Sequence, residues 1–107
     1  MTRKQAVQKA ITIIARHFEL DPDKLADTID KQRDIRGPRM KHAMFSLVYY
    51  MGQIGYTNSQ IMRFIKKQSD QTRHYEAQGR LMMRGEHAKM INSLPMIERQ
   101  PLTVKNL

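Results

Sequence analysis

Seven consecutive residues, Ser69-Asp70-Gln71-Thr72-Arg73-His74-Tyr75, gather short and planar hydrogen-bonding side chains at one place in the chain. At the start of a helix these types match the edges of paired bases. Glutamine pairs with adenine N6 and N7, arginine with guanine O6 and N7, and a carboxylate accepts from cytosine N4. A threonine methyl meets a thymine methyl. Asp70, Gln71, Thr72 and Arg73 are therefore candidate base-contacting groups, with Ser69 beside them. The same types are common in ordinary first turns, so residue types alone leave both readings open.

A second group lies earlier. Lys31, Arg33, Arg36, Arg39 and Lys41 fall within eleven residues that also hold Gly37-Pro38. A long cationic side chain on a loop can enter a minor groove, where the potential is most negative. A solvated polar loop has the same composition, and Asp34 argues against a pure charge run. Lys66 and Lys67, just ahead of Ser69, are candidate phosphate contacts.

The elements that must position these groups are helical. Thr2 with Gln5 forms a capping-box pattern, and Val7, Ala10, Ile11, Ile14 and Phe18 recur at helical spacing, which predicts a helix from about 3 to 18. Asp21-Pro22 predicts a capped second helix with Leu25, Ala26 and Ile29 inward. Residues 30–37 read as a polar loop. Pro38 opens a long third helix through Met40, Ala43, Met44, Leu47, Val48 and Met51, closed at Gly55. Thr57 with Gln60 caps a fourth helix, with Ile61, Phe64 and Ile65 on its apolar face and an end near Lys67. Ser69 or Asp70 then caps a fifth helix with Ala77 and Leu81 inward. Glu86 to Leu94 suggests a short sixth. The expected architecture is all-α, five to six helices in one domain over 1–94, with a flexible tail at 95–107. Helices four and five have helix-turn-helix spacing, which is also common in plain bundles.

Composition narrows the partner class. The chain has 107 residues, 19 Lys+Arg, 10 Asp+Glu and a formal net charge of +9. Residues 1–34 hold seven cations and six acids; residues 35–107 hold twelve and four. This asymmetry points to a polyanionic partner. There is no cysteine, which excludes disulfides, thiol catalysis and cysteine-bound zinc. No apolar run approaches a membrane span, and residues 11–15 are too short and polar-flanked for a signal peptide. The reading is a cytoplasmic protein without cofactor or membrane partner.

Taken in order, the motifs resemble the C-terminal DNA-binding domain of the bacterial replication initiator DnaA, a Trp-repressor-like helix-turn-helix. The likeness runs from about Ile14 to Leu81. It rests on Ile14-Ala15-Arg16-His17-Phe18-Glu19-Leu20, on the basic stretch Arg33-Asp34-Ile35-Arg36-Gly37-Pro38-Arg39, on Ala43-Met44, on Thr57-Asn58-Ser59-Gln60-Ile61 and on Asp70-Gln71-Thr72 followed by Ala77. The resemblance implies a minor-groove role for Lys31 or Arg33. It implies a major-groove role for Asp70, Gln71 and Thr72, with Arg39, Lys41, Lys66 and Lys67 on phosphates. The chain departs from the family pattern at the turn Lys67-Gln68-Ser69-Asp70, which lacks glycine, at Gln71 and Arg73 in the signature, and at Gly37. No phosphate-binding glycine loop is present, so the family's ATPase module is missing.

Catalysis has little support. His17, His42, His74 and His87 lack metal-ligand spacing, and no nucleophilic triad is legible. Met40, Met44 and Met51 fit a core stripe, whereas Met82, Met83, Met90 and Met96 fit a dimer or partner surface. The expectation is a sequence-preferring duplex-DNA-binding protein, replication-linked or a transcriptional regulator of bacterial or phage origin. The alternatives are a module that binds an acidic replication or host protein, and a packaging subunit resembling a phage small terminase.

Overall fold

The computed structural model describes residues 1–31 and 37–96, and every regular element among them is helical. The helices are α1 (Arg3–His17), α2 (Pro22–Asp30), α3 (Pro38–Gln53), α4 (Asn58–Ile65), α5 (Ser69–Met82) and α6 (Ala88–Asn92). Arg33, Arg36 and the tail beyond Met96 lie outside the described residues.

Local chemistry sets most of the boundaries. The Gln5 amide donates to Thr2 Oγ1 at 3.1 Å and the Thr2 amide to Gln5 Oε1 at 2.9 Å, closing the capping box of α1. Thr57 and Gln60 repeat it at α4, at 3.2 and 2.8 Å. Asp21 accepts from the Asp23 amide at 3.0 Å, with Pro22 at the first helical position of α2. Gly55 leaves α3 at φ +107°, a conformation that glycine adopts without steric cost.

The core is one cluster. Ala6, Ala10, Ile14 and Ala15 of α1, Leu25 of α2, Met44, Leu47, Val48 and Met51 of α3, Ile61 and Ile65 of α4 and Leu94 after α6 are all buried. The methionines of α3 pack there as expected. Met90 is buried and Met82 and Met83 pack against the cluster, so of the four later methionines only Met96 stands free at the surface. The Tyr50 hydroxyl donates to the Pro95 carbonyl at 2.6 Å, fastening the end of the described chain to α3. Burial, with Tyr56 adding to it, pushes that hydroxyl up to about 12.

Helix α5 lies antiparallel on α3. Glu76 meets Gly52, Gly79 meets Phe45, and Met82 Sδ accepts from Ser46 Oγ at 3.8 Å, so the two helices run in opposite order. Gly79 sits against backbone: a Cβ there would be driven into the Phe45 carbonyl oxygen and would lie 2.5 Å from Tyr49 Cβ. The pairing corrects the expected register of α5. Ala77 is exposed and Leu81 is 55% exposed, whereas Thr72 and Gly79 are buried. A glycine allows the backbones to touch, and the close approach selects the face that carries it. Ala26 and Phe64, also expected inward, lie at the surface, and their neighbours Leu25 and Ile65 take the buried positions.

Candidate nucleic-acid interface

Helix α4 ends at Ile65, earlier than expected, because Lys66 turns left-handed at φ +57°. Lys66, Lys67 and Gln68 then form the turn into α5. A non-glycine residue in this region is uncommon, and here it does the work of the glycine that usually closes a helix. The Lys67 amide donates to the Met62 carbonyl at 3.2 Å and Asn58 Nδ2 to Ser69 Oγ at 3.3 Å, bracing the turn from α4.

Gln68 rather than Ser69 or Asp70 is the cap of α5, and its side chain makes no capping bond. The Thr72 side chain instead donates to the Gln68 carbonyl at 2.9 Å and is 1% exposed. Thr72 is therefore an anchor, and its methyl cannot reach a thymine; this corrects its expected role as a base contact. The Asp70 carboxylate takes the Gln71 amide at 3.1 Å. Asp70, Gln71, Arg73 and His74 are all exposed. Gln71 and Arg73 are two residues apart, about 200° around the helix, so they leave opposite edges of the first turn. Helical side chains lean toward the N-terminus, so both lean toward the tip of α5.

The cationic groups divide between two ends of the molecule. Lys66 Nζ donates to the Asp30 carbonyl at 2.6 Å, which brings the end of α2 to the α4–α5 turn. Lys31, the residue after Asp30, thus lies near the Lys66 ammonium, and it pairs with Asp27 at 3.0 Å. Arg39 and Lys41 stand at the first turn of α3. Because α3 and α5 are antiparallel, that turn adjoins the far end of α5, and Arg39 faces Glu19 at 3.8 Å. The fold thus groups Lys66 and Lys67 with Ser69, Asp70, Gln71 and Arg73 around the α4–α5 turn, brings Lys31 near Lys66, and leaves Arg39 and Lys41 at the other end of α5.

Three of the four histidines meet, which their sequence spacing does not reveal. His17 Nε2 and His87 Nδ1 share a hydrogen bond at 2.9 Å, and the His42 ring centroid is 6.1 Å from that of His87. The Phe18 ring packs beside all three. Burial lowers the His87 pKa; Glu86 opposes that shift, and His17 and His42 reinforce it. Among the described residues no three histidine or carboxylate groups are arranged to hold a metal ion. A groove of about 930 Å³ runs between α1, α2 and α4, with Val7, Ile11 and Ile29 in its wall and Phe64 at its edge. No described helix is long and apolar enough to cross a membrane.

No family model, curated protein or solved structure matches the chain.

Proposed function

We propose that the protein binds double-stranded DNA with sequence preference. The tip of α5 enters the major groove and the cations of the α4–α5 turn hold the backbone. One observation carries this reading: Gln71 and Arg73 are exposed at the start of α5, on either side of Thr72, which is buried and bonds back to the Gln68 carbonyl. Each good bidentate contact contributes about 1–3 kcal/mol of discrimination. Lys31, Lys66 and Lys67 supply attraction that does not depend on sequence. The order of motifs that resembles the initiator domain supports the same placement, and the chain then acts in replication or transcription.

Fluorescence anisotropy against a labelled duplex tests this at rising salt. Affinity is expected to fall steeply and linearly on logarithmic axes. Absence of binding at low salt would overturn the proposal.

The groove between α1, α2 and α4 favours one other reading, a module that docks a partner protein. Its walls carry Asp23 and Asp30 on one side and Lys4 and Arg63 on the other. A partner recovered from nuclease-treated extract, and lost with Phe64→Glu, would support that reading.

A further inference from the structure

The outer face of α5 carries apolar side chains that no packing explains. Asp70, Ala77 and Leu81 follow one another at helical spacing on the side opposite Gly79, and all three are exposed, whereas the His74 ring between them meets Phe45 of α3 at 6.0 Å between centroids. Leu81, at 55%, is among the few large apolar side chains left in solvent. Arginines run along one flank. Arg73 and Arg80 stand seven residues apart, about 20° from each other around the helix, and Arg84 lies just past its end. Arg84 lies two residues past Met82, in a turn in which its amide donates to the Leu81 carbonyl at 3.0 Å. Arg80 shares the Glu76 carboxylate at 3.1 Å, while Arg73 and Arg84 have no carboxylate partner among the described residues.

We infer that α5 meets a DNA duplex along its whole length, with Ala77 and Leu81 against thymine methyl groups and Arg80 and Arg84 on the phosphates of one strand. This rests on the duplex-binding reading above and adds to it the class of base read by the distal half of the helix. The major groove admits an α-helix, and the thymine methyl is the apolar feature on its floor. Ala77 and Leu81 are one turn apart, about 6 Å along the axis, which spans about two base pairs at 3.4 Å each. The flanking cations match the charge of the groove wall, which selects a duplex over an apolar protein surface as the occupant.

The test uses the full chain and a duplex enriched from a random pool. Each thymine of the enriched site is replaced in turn by uracil, which lacks only the methyl. Loss at two positions about two base pairs apart is expected, each about four-fold for one methyl returned to water. Leu81→Ala, at an exposed position, should keep the helical circular dichroism and bind the thymine and uracil versions of one of those positions equally. Arg80→Ala with Arg84→Ala should lower the salt slope by about two. Indifference of the wild-type protein to every uracil would overturn the inference while leaving base reading by Gln71 intact. So would a Leu81→Ala change that dissolves a dimer in sedimentation and leaves thymine discrimination untouched, because the face would then belong to a second copy. Failure of the wild-type protein to bind any duplex would instead remove the underlying reading.

Discussion

Gly79 lies so close to the Phe45 carbonyl that α5 cannot turn about its own axis without separating from α3. That contact decides which side chains of α5 face outward, and so which can meet a partner. Gly79→Ala forces a methyl into backbone that cannot yield. The expected cost is about 1–3 kcal/mol, read as a fall of the melting temperature by about 4–8 °C per kcal/mol. An unchanged melting temperature would contradict the close approach.

Thr72 separates anchoring from reading. Thr72→Ser keeps the hydroxyl that bonds the Gln68 carbonyl and removes only the methyl. It should lower stability by roughly 1 kcal/mol through the small cavity and leave the preferred DNA site unchanged. A shifted base preference would return Thr72 to the groove.

Thr57 acts on the same turn from a distance. Its capping box holds a short α4 in place beneath α5. Thr57→Ala is expected to cost about 1 kcal/mol. Denaturant unfolding should show it as a lower midpoint with an unchanged slope.

The histidine cluster makes the fold sensitive to acid. The His17–His87 hydrogen bond needs an unprotonated nitrogen on one ring. His87 titrates below its ordinary 6.5 because burial disfavours its charged form, with His17 and His42 acting in the same direction against Glu86. The unfolded chain therefore binds the proton more readily. The stabilisation is present in full above the ordinary histidine range and is lost as pH falls through the lowered value. Melting curves from pH 8 to pH 5 should show wild type losing more stability than His87→Gln. Parallel curves would show that the cluster contributes nothing.

What the sequence revealed followed the range of the interaction. Both capping boxes, Pro22, Gly55 and the inward stripes of α1 and α3 depend on neighbours within a turn, and they appear where the pattern places them. The outward face of α5 is hidden from the pattern because Ala77 and Leu81 are apolar while the residue that fixes the packing, Gly79, has no side chain to mark it. Thr72 reads as a base contact because a threonine in a first turn looks alike whether it faces solvent or bonds back to the carbonyl four residues earlier. The histidines sit at 17, 42 and 87, and only the antiparallel return of α5 and the docking of α6 bring them together. In the candidate site, Gln71 and Arg73 were legible as exposed because nothing in the helical pattern called them inward. The pin from Lys66 to Asp30 joins residues 36 positions apart and had no local mark.

Lys67 and Gln71 should act differently on binding. Lys67→Ala is expected to weaken all duplexes alike and reduce the salt slope by about one. Gln71→Ala should cost about 1–3 kcal/mol on the preferred site alone. Anisotropy on preferred and scrambled duplexes distinguishes the two; equal losses from Gln71→Ala on both would count against base reading.

The most direct measurement is selection of bound duplexes from a random pool at two salt concentrations, with wild type and with Gln71→Ala/Arg73→Ala. A motif that emerges for wild type at both salts and fades for the double variant is the expected result. Retention without a motif, or the same motif from both proteins, would contradict the assignment of base reading to the tip of α5.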